Sequence, residues 1–430
     1  MATPQLEQIG KYEVIRKLGE GATSEVFLCH DTFNNRDVAV KVVFEDKLQE
    51  GDDGRLARKL FLTEAALAGK LLHPHIAQIH DAVVGDNNMS YIVMEFVPGG
   101  TLEPYCDKAR LLPIDKIVEM IFKCTRALDF ANKLGVTHRD IKPANILLAG
   151  QTDIKISDFG AALLSTGDET QVAGIGSPAY MSPEQIKEHT LNHQTDIYSL
   201  GVVMYQLLTG TLPFQATNNF SMMYQITNVE PALPSSLRKE IPLSVDKIVR
   251  RAMQKDLDRR YPGWEEFSYD LAEAFRTEEL VDQSQEVADS EKFNTLRAMP
   301  FFEHFTDAEL WEVLRISAWE NLPAGTSIMR DGEQGDFFCI LAAGEVKVTK
   351  RKKLLNVLSP GECFGEMAYL SKSGSERSAD VATMSEARII RISTDDLDRA
   401  SDACRHRFDR AFMAILVERL QLANTRLTAV

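Results

Sequence analysis

Residues 138–160 read HRDIKPANILLAGQTDIKISDFG. Two polar clusters, HRDIKPAN (138–145) and SDFG (157–160), follow one another here, the second directly after the strand-like DIKI. Upstream, GEGATSEV (19–26) follows one strand-like run and leads into another. Its glycines let backbone amides approach phosphate oxygens closely, although alone it reads equally well as a hairpin. The run VAVK then places Lys41 at the end of an apolar strand, where an ammonium needs an anionic partner. A helix predicted near 55–72 sets Leu60, Glu64, Leu67 and Leu71 on one face. Glu64 is therefore a carboxylate in an apolar stripe and the natural partner of Lys41.

Taken together, in this order and at this spacing, the motifs resemble the eukaryotic-type (Hanks-type) serine/threonine protein kinases over about residues 10–278. The resemblance implies an α+β, bilobal kinase fold in a domain of residues 1–278. A strand-rich N-lobe would cover about 10–96 and a helical C-lobe about 97–278. It also implies roles, with ATP as substrate. Leu18, Gly19, Gly21, Val26, Ala39, Lys41, Met94, Glu95 and Val97 would bind ATP, with Glu64 fixing Lys41 on the α- and β-phosphates. Asp140 would accept the proton of the substrate hydroxyl, and Lys142 would neutralise charge on the transferred group. Asn145 and Asp158 offer hard oxygens for Mg2+, which takes few protein ligands beside the phosphates.

Two positions depart from the family pattern. Ser24 stands where the loop has its third glycine, and Ser182-Pro183-Glu184 replaces the usual APE. Glu184 keeps its expected ion pair with Arg260. Asp196, ahead of the apolar IYSLGVVMYQLL, resembles the family's structural aspartate that holds the catalytic loop. Thr170 is the expected activation-loop phosphorylation site, with Ser165 and Thr166 as alternatives and Ser177 structural. Thr101, Ala144 and Gln206 stand where related kinases that select upstream arginine carry carboxylates, so no such selection is expected.

Bulk composition agrees with a soluble multidomain protein. The 430 residues are 44% hydrophobic and 26% charged, enough for two or three independently cored domains. The net charge of -15 argues against tracking nucleic-acid phosphates. Six cysteines lack CxxC spacing and suit buried thiols in a reducing compartment. MATPQLEQIG has neither a basic segment nor an apolar core, so no secretory signal, no membrane span and a cytoplasmic location are expected. The basic run Lys350-Arg351-Lys352-Lys353 reads as a solvated hairpin tip.

A seam follows the kinase-like region. TEELVDQSQEVADSE (277–291) carries six carboxylates and no Lys or Arg, and an acidic linker is expected at 279–292. Beyond it, at 293–430, a short helical piece (293–317) leads into strand-like runs punctuated by glycines, the pattern of a small barrel or sandwich. Within that region FGEMAYLSKSGSERSADV (364–381) sets Glu366 and Arg377 near a core, where unpaired charge is costly. A cyclic nucleotide would answer both. Arg377 suits its phosphate, and Glu366 suits the ribose 2′-hydroxyl.

This stretch resembles the phosphate-binding cassette of cyclic-nucleotide-binding domains of the bacterial cAMP receptor protein type, over about 293–430. The resemblance implies a β-barrel (jelly-roll) with flanking helices. It also implies a site of Gly365, Glu366, Met367, Arg377 and Ser378, with Asn424 towards the purine and cAMP as the favoured effector. Asp380 departs from the usual neutral residue. A final helix, roughly 395–427, carries Phe408, Phe412, Ile415, Leu416, Leu420, Ala423 and Leu427 spaced by threes and fours. Its second half suits a homodimer seam, and no DNA-binding helix-turn-helix follows before Val430. The expectation is a cytoplasmic protein kinase activated in cis by cyclic nucleotide through 277–317. Its rivals are a constitutive kinase with a degenerate, dimerising barrel and a non-catalytic scaffold.

Overall fold

The computed structural model describes residues 7–20, 24–44, 52–86, 89–164, 178–276, 289–351, 353–370 and 376–428. The chain divides into two compact units, Met1–Glu286 and Val287–Val430.

In the first unit six strands form an antiparallel sheet: β1 (Gln8–Ile9), β2 (Tyr12–Glu20), β3 (Glu25–Asp31), β4 (Arg36–Phe44), β5 (Ile79–Asp86) and β6 (Met89–Glu95). Their order is β1-β2-β3-β4-β6-β5. Side chains alternate between the sheet faces. Val38, Val40 and Val42 share one core with Tyr12, Cys29 and Val93, while Ala39 and Val43 pack with Phe61 of helix α1 (Asp52–Ala66). Lys41 lies in register between Ala39 and Val43, so the pleat alone aims it at the helix.

Helix α1 ends earlier than the predicted 72. A turn follows it, with Gly69 in the left-handed region at φ +72°, a conformation glycine adopts at little cost and one that stops helices. Leu67 and Leu71 lie beyond the helix yet stay buried.

The other half of this unit is helical, built on Ile114–Lys133, Gln194–Thr209, Leu243–Ala252 and Trp264–Arg276. Gln194–Thr209 is buried nearly all round, as a helix is at the centre of a core. Two short strands, Ile146–Leu148 and Ile154–Ile156, pair antiparallel with Ile146 opposite Ile156. HRDIKPAN enters this hairpin and SDFG leaves it, so the ladder sets the two polar clusters side by side.

The second unit holds two four-stranded sheets, curled as in a jelly-roll. One runs Ser317–Leu322, Ala387–Ser393, Phe337–Ala343, Cys363–Phe364; the other runs Ser327–Met329, Asp380–Thr383, Val346–Lys350, Lys353–Leu358. Met329, Cys339, Leu341, Val346, Leu358, Phe364 and Ile389 form their shared core. Helices Asp289–Ala298 and Asp307–Ile316 precede the barrel, the first beginning inside the acidic seam. The remainder of that seam, 277–288, lies outside the described residues. The single terminal helix expected at 395–427 is two, Thr394–Asp398 and Asp402–Thr428. Ser401 separates them, and its hydroxyl accepts from the Cys404 amide at 3.2 Å. Phe408 and Phe412 are fully buried, packed on Phe301 and Phe338.

Candidate functional sites

Lys41 is the hub of the first site. Its ammonium donates to Glu64 Oε2 at 2.8 Å and to the Asp158 carboxylate, which SDFG carries in from 117 residues downstream. Glu64 is only 2% exposed. Burial opposes the Lys41 charge, but the Asp158 and Glu64 charges outweigh it and hold its pKa above the ordinary lysine value. Burial pushes the Glu64 carboxyl up in spite of Lys41, while the Lys41 charge holds Asp158 below the usual carboxylate range. The ammonium is therefore fixed and permanently charged.

The second cluster lies on the loop ahead of the hairpin. Lys142 Nζ donates to Asp140 Oδ2 at 2.7 Å, and Asn145 Nδ2 donates to the Asp140 carbonyl at 2.8 Å and to Oδ2 at 3.2 Å. With its amide nitrogen so committed, Asn145 keeps its side-chain oxygen for a cation. Asp158, whose side chain is 45% exposed, likewise has a carboxylate oxygen to offer. Two hard oxygens from these residues fit a magnesium ion that takes its remaining ligands from phosphates and water.

The loop is held in a costly shape. Arg139 has φ +69° and Asp158 has φ +65°, both left-handed. Asp196 stabilises the first of these, its carboxylate accepting the His138 and Arg139 amides at 2.7 Å each. His138 Nε2 meets the Ser157 carbonyl at 2.9 Å and its ring lies 4.5 Å from Phe159, tying HRDIKPAN to SDFG. Gln185 adds a link that no motif announced, its amide donating to the Arg139 carbonyl at 3.0 Å.

The expected nucleotide wall is one surface. Leu18, Val26, Ala39 and Met94 belong to a single apolar cluster, and Val97 is buried beyond it. Gly19 pairs with Val26 across the β2–β3 ladder. Glu95 ends β6 and pairs with Lys155 at 2.9 Å. Gly21 and Thr170 lie outside the described residues.

In the second unit a cavity of about 350 Å3 opens between the sheets and the cassette. It brings together Gly365, Glu366, Met367, Arg377 and Ser378, with Leu355 and Val348 on the opposite wall. That volume is in the range of small-molecule sites. Glu366 is 4% exposed and Arg377 7%, so both charges are desolvated. Arg377 donates to the Gly365 carbonyl at 3.0 Å and the Phe337 carbonyl at 2.7 Å, and its guanidinium lies 4.6 Å from the Phe337 ring. Phe337, forty residues earlier in the chain, has no sequence signal that marks it as the support of Arg377. Gly365 has φ +78°, and a Cβ there would meet Met329 Cε at 2.5 Å and the Arg377 Nη1 at 2.8 Å. Asn424 falls on the terminal helix at a position whose side chain is outside the described residues.

Comparison with known proteins finds a family for each unit. Residues 12–268 match the family model of the protein kinase domain, and residues 319–403 match that of the cyclic nucleotide-binding domain. A probable serine/threonine-protein kinase of Streptomyces coelicolor is 37% identical over 270 residues, 61% of this chain and 39% of the relative. Serine/threonine-protein kinase PknB of Mycolicibacterium smegmatis is 36% identical over 307 residues, 70% of this chain and 48% of the relative. PrkC of Bacillus subtilis, a serine/threonine-protein kinase, is 32% identical over 293 residues, 68% of this chain and 44% of the relative. The chain thus spans less than half the length of each of these relatives.

Proposed function

The chain belongs to the protein kinase family and carries a cyclic nucleotide-binding domain, and from that premise we propose that it phosphorylates serine or threonine hydroxyls of a protein substrate, using Mg-ATP, under control in cis of a cyclic nucleotide. The convergence of Lys41, Glu64 and Asp158 with Asp140, Lys142 and Asn145 carries this reading. Asp140 takes the proton of the attacking hydroxyl as the new O–P bond forms and the bond to the ADP oxygen breaks. Lys142, 2.7 Å from Asp140, is close enough to offset charge on the moving phosphoryl group. Lys41 orients the nucleotide phosphates, and its two carboxylates keep it from wandering. Bound magnesium would neutralise the phosphates, held by Asn145 and Asp158.

Removing a positioned base costs roughly 10²–10⁴ in rate. Asp140→Asn is therefore expected to lose turnover on a generic protein substrate by that factor while still binding Mg-ATP. Full turnover in this variant would reject the enzyme reading and favour a scaffold.

The reading of control in cis is supported by a chain of packed aromatic rings. Tyr369, on the short helix Met367–Leu370 beside the cavity, lies 5.7 Å from Phe412, which lies 5.7 Å from Phe301 in the segment preceding the barrel. A ligand that draws in the cassette shifts Tyr369, and that shift reaches the covalent route to the kinase. Moving such a two-state equilibrium from mostly off to mostly on takes about 5.5 kcal/mol of differential affinity. One phosphate fork supplies roughly 1.5–3 kcal/mol, so Glu366 and base contacts must share the work. We favour activation, with cAMP as effector. Calorimetry with cAMP and cGMP tests this, and silence with both would favour the constitutive kinase. Met413, Leu416 and Val417 are exposed at helical spacing and supply a seam for a second copy, which sedimentation would reveal.

A further inference from the structure

The peptide unit joining Arg139 to Asp140 is planar, so a bond at each of its polar atoms fixes how it is turned. Its N–H, on Asp140, donates to His138 Nδ1 at 3.3 Å. That bond needs the imidazole proton on Nε2, the tautomer that the Ser157 carbonyl also selects at 2.9 Å. Its C=O, on Arg139, accepts from Gln185 Nε2 at 3.0 Å, the shorter of the two holds. The bonds from Asp196 fall on the other side of the Arg139 Cα, on the His138 and Arg139 amides. They set φ of Arg139, whereas Gln185 and His138 set the turn that follows it.

Gln185 is itself held. Its Oε1 accepts the Ser182 amide at 2.9 Å, and its own amide donates to Ser182 Oγ at 3.3 Å, a capping box at the start of the short helix Pro183–Ile186. Its two side-chain partners are of opposite kind, an N–H and a C=O, so only one orientation of the carboxamide satisfies both. Glu184, the residue before it, is fixed to Arg260 at 2.7 Å.

We infer that Gln185 is a positioning residue for the reaction: through the Arg139 carbonyl it sets the direction from which Asp140 meets the substrate hydroxyl. The inference rests on the reading of Asp140 as the base. Lys142 and Asn145 occupy Asp140 Oδ2, which leaves Oδ1 for the hydroxyl. A base acts only within hydrogen-bond reach of the proton it takes. Turning the Arg139–Asp140 peptide carries the Asp140 Cα with it and takes Oδ1 off that line. The cap and the positioning bond use different atoms of one side chain, so substitution can part them. Gln185→Glu keeps an acceptor for the Ser182 amide, and glutamate serves a capping box as well as glutamine does. It replaces the donor facing the Arg139 carbonyl with an anion. Ser182→Ala does the reverse, removing the cap oxygen and leaving the carboxamide on Arg139.

The test measures initial rates of the full chain on a generic protein substrate across a range of Mg-ATP concentrations, with thermal melts alongside. Gln185→Glu is expected to lower kcat by about tenfold and to leave KM for ATP within about twofold of the parent's. Its Tm should match or exceed the parent's, because a carboxylate in the first turn suits the helix dipole. Ser182→Ala should melt earlier and keep kcat within about twofold. A role confined to capping predicts the opposite ranking of the two variants in kcat. Parent-like kcat in Gln185→Glu, or a loss shared equally between kcat and KM for ATP, overturns the inference while the parent's own turnover upholds the enzyme reading. A parent chain without turnover overturns that reading and the inference with it.

Discussion

Glu184 and Arg260, 76 residues apart, meet end-on through both terminal guanidinium nitrogens, at 2.7 and 3.1 Å, with Arg260 1% and Glu184 5% exposed. Arg260 also donates to the Gln194 and Gln254 carbonyls, and Thr195 donates to Glu184. Breaking such a pair leaves one charge buried alone, a loss of about 3–5 kcal/mol. Glu184→Ala and Arg260→Ala should each lower the unfolding free energy of the first unit by that much, read by urea titration as a lower midpoint, and Arg260→Lys should rescue little because it lacks the fork. Burial raises the Glu184 carboxyl, but Arg260 outweighs it and the net pKa is lowered. The pair's stability is therefore complete above the ordinary glutamate value and drains away as pH falls through the lowered one. Acid titration of the double variant should lack that step.

Asp196 should matter through geometry. Its two 2.7 Å bonds hold Arg139 at φ +69°. Asp196→Asn keeps one acceptor for two amides, and Asp196→Ala keeps none. Turnover is expected to fall in that order, by more than tenfold for alanine, with nucleotide affinity changed far less. Equal losses in KM for ATP and kcat would contradict a role confined to the catalytic loop.

In the barrel, Arg377→Ala should abolish the response to cyclic nucleotide and leave basal Mg-ATP turnover intact. Arg377→Lys is expected to restore charge but not the planar fork, hence only weak binding by calorimetry. Gly365→Ala forces a Cβ against Met329 and Arg377 at φ +78°. A cost of about 1–3 kcal/mol and a matching loss of ligand follow. Parent-like affinity in Gly365→Ala would show that the cassette is looser than this.

Arg139 Nε is buried and finds no hydrogen-bond partner among the described residues. Burial depresses the guanidinium's pKa, and Asp196 only partly offsets it. An added phosphate would meet that deficit. Active protein is accordingly expected to carry phosphate at Thr170, and Thr170→Ala to lose activity. Mass spectra of active protein with no phosphate between 161 and 177 would refute this.

Upstream arginine in the substrate should bring little. Gln206 is uncharged and already accepts the Tyr180 hydroxyl at 2.6 Å, while Thr101 and Ala144 add no anion. A peptide-library profile should lack a dominant arginine, and one that shows it would place the selecting carboxylates elsewhere.

Much of this was legible before any fold. The Lys41–Glu64 pair follows from two periodicities, a pleat that turns Lys41 towards the helix and a helical stripe that includes Glu64. Glu366 and Arg377 were conspicuous because charge in an apolar frame demands a reason. Less legible were the end of α1, decided by Gly69 in a left-handed turn, and the break before Ser401 that divides the last helix. The supports were silent. Phe337 beneath Arg377 and Gln185 against Arg139 are ordinary residues in ordinary contexts, and only the closed chain gives them partners.

The carboxylate of Asp196 also imposes an order of assembly. A left-handed Arg139 costs on the order of 1–3 kcal/mol, and its compensation arrives from a helix that begins 55 residues later, at Gln194. A nascent chain emerging N-terminus first thus displays every side chain of HRDIKPAN and SDFG before it has the means to shape them. Catalytic competence is expected only once Gln194–Thr209 has been made and has docked, and ribosome-bound chains cut short of Asp196 should refuse to phosphorylate anything.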